Sequence, residues 1–244
     1  MKNTFKTKAV SGALAIAAIL ALSLNSCKKD NASGTSNTTV TEADAAELAT
    51  NAIIPASGGF VVQVNSSVTI YKNVKLSCGV AKDSSITKSS VAGSSQAYNY
   101  SLNWNYLLNC SGAVPNDLTF NFSGQSQYDG PRMASNDNST GGFVLTGLAP
   151  TASAYILNTT YTRNGSQTSR IGRNYSFTST LSIKSSNINV DKTTLKILSG
   201  TAAVAISGAS SSGKSFNFNG TISFKGDNKA TLILNSGASY NIQW

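Results

Sequence analysis

Residues 214–225, KSFNFNGTISFK, decide the fold class. Phe216, Phe218, Ile222 and Phe224 fall on one face of an extended chain, and Ser215, Asn217, Asn219, Thr221 and Ser223 fall on the other. A period of two with one apolar and one polar face marks a half-buried strand of an antiparallel sheet. The pattern recurs in Leu102, Trp104, Tyr106 and Leu108, in Phe120 and Phe122, and in Ala202, Val204 and Ile206. It returns in Ala230, Leu232 and Leu234, and in Tyr240, Ile242 and Trp244. Gly226-Asp227-Asn228 and Ser236-Gly237 separate the last strands, and Asn164-Gly165 has the composition of a two-residue hairpin turn. Successive strands are therefore expected to pair as meanders, and their apolar face must be covered. The expected class is all-β: an antiparallel sandwich or an up-and-down barrel.

Upstream, Thr41-Glu42-Ala43-Asp44 reads as a helix start, with Thr41 as N-cap and acids in the first turn. The short helix runs to about Asn51 and is ended by Pro55 and Gly58-Gly59; everything after it has the period of strands. Gly79 to Ala97 and Gln125 to Gly142 are rich in Ser, Asn, Asp and Gly and read as long loops. Loops of that length are uncommon unless they are functional or mobile.

Lys2, Lys6 and Lys8 precede an unbroken run of apolar and small residues from Ala9 to Leu24, the layout of a signal peptide. The run ends in Leu24-Asn25-Ser26-Cys27. This ending resembles a bacterial lipoprotein signal, and Cys27-Lys28-Lys29-Asp30-Asn31 is similar to the start of many Bacteroidota lipoproteins; Asn25 departs from the usual residue at its position. The resemblance implies cleavage after residue 26, a lipid on Cys27, and attachment to the outer membrane, facing the periplasm or the surface. Residues 27–40 then read as a polar tether, and 41–244 as one β-rich domain with a short leading helix. With Cys27 lipidated, Cys78 and Cys110 remain as an even pair in an oxidising compartment and are expected to form a disulfide.

The composition argues against catalysis. The chain has 244 residues and no His, which removes His-dependent bases, metal ligands and nucleophilic triads. Charged residues make up 12%, about half the usual 25%. Ser, Thr and Asn take their place. Beyond Glu47 the acids are only Asp83, Asp117, Asp129, Asp137, Asp191 and Asp227. The formal charge of +9 falls to +6 when Lys2, Lys6 and Lys8 leave with the signal. The remaining lysines are scattered, and nucleic acid is not an expected partner outside the cytoplasm.

Three motifs have chemical meanings that their context removes. Gly208 to Ser215, GASSSGKS, matches a phosphate-binding loop, but that loop must open a helix, and a strand follows here. Ser85-Ile86-Thr87-Lys88 and Ser211-Ser212-Gly213-Lys214 fit the S-x-x-K nucleophile motif without its S-D-N and K-T-G companions. Asn136-Asp137-Asn138-Ser139-Thr140-Gly141 is rich in oxygen ligands but departs from the EF-hand pattern. It reads as a polar loop, with Asp129 and Asp137 as the carboxylates a calcium ion would meet first. No metal or cofactor is expected.

The remaining candidates are for binding. Tyr128, Arg132 and Asp137 lie in the second long polar stretch. Arg163, Arg170 and Arg173 surround Asn164-Gly165, and arginine forks suit carboxylate and phosphate. Tyr98, Tyr100, Trp104 and Tyr106 share a strand face that could stack on sugar rings, but Leu102 and Leu108 on the same face point to core packing. The expected function is a non-enzymatic envelope protein binding a ligand, a glycan or a protein partner. The alternatives are a barrel carrying a lipid or other amphiphile and, last, a Ser/Asp hydrolase.

Overall fold

The computed structural model describes residues 39–172 and 174–244. The expected signal peptide, Cys27 and Arg173 lie outside the described residues.

Helix α1 spans Glu42–Ile53 and opens with the expected capping box: the Thr41 hydroxyl accepts the Asp44 backbone N–H, while the Asp44 carboxylate accepts the Thr41 backbone N–H. A 3₁₀ turn, Pro55–Ser57, ends at Gly58, whose φ of 65° is easy only for glycine. Instead of a strand, a second helix follows: α2, Phe60–Asn73. Its Val61, Val62, Val64, Val68 and Ile70 favour strands by intrinsic preference. Burial overrides that preference, because Phe60, Val61, Val64, Ser67 and Val68 repeat at helical spacing and all are buried.

Ten strands follow among the described residues: β1 Ala81–Ser89, β2 Ala97–Ser111, β3 Val114–Asp129, β4 Met133–Thr146, β5 Ala154–Ser169, β6 Tyr175–Asp191, β7 Ile197–Ser210, β8 Ser215–Phe224, β9 Lys229–Leu234 and β10 Ser239–Gln243. They form one sheet in sequence order, every pair antiparallel, which is up-and-down connectivity. The all-β antiparallel class is therefore the one the alternation implied. Its apolar face is covered by the two helices.

The sheet is strongly curled. The Phe60 ring lies 5.9 Å from Phe143 on β4 and 5.7 Å from Phe224 on β8. A flat sheet would hold β4 and β8 about 19 Å apart, so one ring reaches both only because the strands wrap around α2. Gly141 helps the inner face close: it pairs with Phe122 and Tyr161 on its two neighbours, whose rings stack above it at 5.7 Å. A Cβ there would come within 2.5 Å of the Phe122 ring.

Cys78 and Cys110 are joined, as expected, across 32 residues. The bond ties the segment that leads into the edge strand β1 to β2. Among the described residues no helix is long and apolar enough to cross a membrane.

Candidate functional site

Of the binding residues expected from sequence, three are buried and two, Arg132 and Arg170, stand exposed at the rim in ion pairs. Arg163, Asp137 and Tyr128 point inward. Asn164-Gly165 is not a turn, because β5 runs straight through it and Arg163 and Arg170 stand on the same strand or at its end. Gln125 to Gly142 is not a loop but the paired ends of β3 and β4, and Gly79 to Ala97 contains β1. The oxygen-rich run from Asn136 likewise lies within β4. Among the described residues no cluster of three or more His, Cys, Asp or Glu could hold a metal ion. Gly208 lies within β7, paired with Phe216, and Ser211 to Lys214 is the hairpin turn that the strand context implied.

What these residues build is a buried fastener. The Arg163 Nη2 atom lies 2.7 Å from Asp137 Oδ2, with the two side chains 4% and 2% exposed. Arg163 also donates to Ser126 Oγ at 3.0 Å and to the Asn51 carbonyl of α1 at 2.8 Å. Asp137 Oδ1 accepts from Gln167 Nε2 at 2.7 Å, and Gln167 Oε1 accepts from Ser179 Oγ at 2.9 Å. Such a pair is tolerable in the interior only because its remaining donors and acceptors are met. Beside it the Tyr161 phenol is driven up from its ordinary pKa, first by burial; the Arg163 charge pulls it down and Asp137 pushes it up.

A second knot holds the start of α1. Asp44 accepts from the Thr41 backbone N–H at 2.8 Å, from Ser169 Oγ, and from the Tyr175 hydroxyl. At the rim Arg132 pairs with Glu47 of α1 at 2.9 Å, and Arg170 pairs with Asp129 at 2.6 Å. Tyr128 is buried beside them, and its phenol is pushed up by burial first and then by Glu47 and Asp129. Asp44 and Glu47 are committed to fixing α1 on the sheet, and Asp129 ties the end of β3 to the residue after β5. The aromatic row is core, as its leucines implied: Tyr100, Trp104 and Tyr106 are buried and Tyr98 half-buried.

The surface that remains is the outside of the sheet. Pairing aligns its exposed residues in rows across the strands: Ser101, Gln125, Asn138, Asn164, Thr180, Ser207 and Asn217 stand in one row from β2 to β8. The adjoining row is Asn103, Ser123, Thr140, Thr162, Ser182, Ala205 and Asn219. Apart from alanine these are neutral hydrogen-bonding groups. The amides of Asn103, Gln125, Asn138 and Asn164 make no hydrogen bond within the described residues. Neighbouring strands lie about 4.8 Å apart, so a row offers donors and acceptors at regular intervals. Two shallow depressions of about 610 and 430 Å³ meet at Asn103 and Ser123. Gly124 lies between these outward positions with the opposite phase: a Cβ there would point into the core, 2.3 Å from Leu102.

Strand alternation gave the outward phase of these residues in β2, β7 and β8. It could not give the rows themselves, because those depend on register across seven strands. The chain matches no family model, no curated protein and no solved structure.

Proposed function

We propose that this protein is a non-enzymatic binding protein of the cell envelope, held at the outer membrane by lipid on Cys27, that takes a polysaccharide on the outer face of its sheet. The observation that carries the reading is the pair of aligned rows of Asn, Gln, Ser and Thr side chains across β2 to β8, in which the amides of Asn103, Gln125, Asn138 and Asn164 are unengaged. Amides and hydroxyls are the groups that exchange hydrogen bonds with sugar hydroxyls, and a neutral face imposes little ionic desolvation cost on a neutral chain. The Lys28-Lys29-Asp30 run after Cys27 supports display at the surface.

The interior supports this reading over an amphiphile carrier, because Phe60, Val64 and Val68 fill the hollow of the sheet where an acyl chain would lie. Retention of the full-length chain, in mild detergent, on immobilised polysaccharides tests the proposal. Retention on at least one neutral polymer is expected. Passage through the whole panel, together with a bound lipid that leaves only on denaturation in native mass spectrometry, would favour the carrier and sink the glycan reading.

A further inference from the structure

The two ends of the curled sheet differ in charge. Every ion pair among the described residues is made by an arginine, and the two exposed pairs sit at the end where α1 begins. The opposite end, where α2 finishes, is lined with lysines that have no carboxylate partner. Contacts group them in two sets, connected through the short chain segment from Lys72 to Lys75. Lys72 Nζ lies 3.4 Å from the carbonyls of Lys192 and Thr193, and Lys82 Nζ lies 2.7 Å from the Lys75 carbonyl. The Lys196 carbonyl accepts the Asp191 backbone N–H at 2.9 Å.

Asp191 is the carboxylate beside Lys72 and Lys192 and is spoken for, while Asp117 and Asp227 stand at the same end of the sheet, at the start of β3 and in the turn after β8. Asp191 Oδ1 accepts the backbone N–H groups of Thr193 and Thr194 at 2.9 and 2.6 Å and the Thr194 hydroxyl at 2.9 Å. Those bonds, the Thr194 backbone N–H first, hold its pKa below the ordinary aspartate range, and the Lys72 charge adds to them. Lys72, Lys82 and Lys192 each donate to a backbone carbonyl, Lys192 to that of Ala149 at 2.6 Å, and Lys75 and Lys196 are exposed and make no hydrogen bond. Aromatic surface adjoins them: Lys192 Nζ lies 5.0 Å over the Tyr155 ring, and the half-buried Tyr71 packs edge-on against Tyr155 at 5.7 Å.

We propose that this lysine end is a binding site for acidic polysaccharide, meaning sugar chains that carry carboxylate or sulfate groups. The ammonium groups meet the anions by charge complementarity. A sugar polymer is the occupant proposed, and anionic vesicles separate it from a bilayer in the test below.

The probes are alginate as a polyuronate, dextran as a neutral polymer, and vesicles of phosphatidylcholine with phosphatidylglycerol. The full-length chain is expected to bind alginate at low ionic strength and to release it as salt rises. Lys75→Glu with Lys196→Glu, two exposed side chains that make no hydrogen bond, should weaken alginate binding roughly tenfold or more and leave the thermal midpoint unchanged. Lys72→Gln with Lys192→Gln is the second variant and should weaken it likewise. Wild-type alginate affinity in both variants would overturn the proposal, as would lysine-dependent binding to the anionic vesicles with none to alginate. Loss of dextran binding in the wild type would instead count against the neutral sheet face and leave the lysine site standing.

Discussion

Gly165 and Asp137 face one another across β5 and β4, and a side chain on the glycine would place its Cβ 2.1 Å from Asp137 Oδ1. The glycine lies in mid-strand because the carboxylate occupies the space beside it. Gly165→Ala is expected to push Asp137 off Arg163 and to cost about 1–3 kcal/mol, the usual range for overpacking a tight interior. Chemical denaturation checks this, and an unchanged midpoint would show that Asp137 can move aside freely.

Removing one partner of the buried pair should cost more than removing both. Arg163→Met leaves Asp137 charged and supported by Gln167 alone, for an expected loss of about 3–5 kcal/mol. Adding Asp137→Leu should recover most of that loss. A double variant as unstable as the single one would mean that the pair is not the critical contact between α1 and the sheet.

Alkali should unfold the protein early. Tyr71, Tyr100, Tyr128, Tyr155, Tyr161 and Tyr175 all have phenols raised above the ordinary value, in each case first by burial. For Tyr175 the hydrogen bond to Asp44 adds to burial. An unfolded tyrosine loses its proton near pH 10, while the folded one keeps it, so this contribution is complete below pH 10 and is lost as pH rises toward the folded value. Urea midpoints should therefore stay level to about pH 9.5 and fall above pH 10. Tyr175→Phe should fall less steeply, and a parallel decline in that variant would remove Tyr175 from the account.

Reduction of Cys78–Cys110 should lower stability by about 3–4 kcal/mol in the chain-entropy picture of a closed loop. The effect should concentrate at the sheet edge. Hydrogen exchange in Ala81–Ser89 is expected to rise on reduction before exchange in β4 or β5 does, and uniform loss of protection would contradict that placement.

Where inner-face residues are apolar, the sequence was readable. Phe216, Phe218, Ile222 and Phe224 marked β8, Leu102 to Leu108 marked β2, and the paired cysteines named their own bond. The reading failed where inner-face residues are polar. On β4 the inward positions are Ser135, Asp137 and Ser139, and on β5 they are Arg163, Gly165 and Gln167, all buried or half-buried under α1. The period of two is intact there, but hydropathy cannot reveal it, so strands looked like loops and Gly165 looked like a turn. Helix α2 was lost for the opposite reason: its valines favour a strand locally, and only the curl of a sheet formed by residues far along the chain requires a helix. The lysine cluster was equally hidden, since Lys72, Lys82 and Lys192 are far apart in sequence and meet through topology.

The outer rows carry the functional claim, and one binding titration tests them most directly. Asn103→Ala, Gln125→Ala and Asn138→Ala together remove three unengaged amides from exposed positions and should leave the thermal midpoint unchanged. Measured by isothermal titration on a neutral polysaccharide that the wild type retains, the triple variant should bind at least about tenfold more weakly, in keeping with the loss of several hydrogen bonds worth about 1 kcal/mol each. Wild-type affinity in a variant of unchanged stability would contradict the account and move the glycan away from this face.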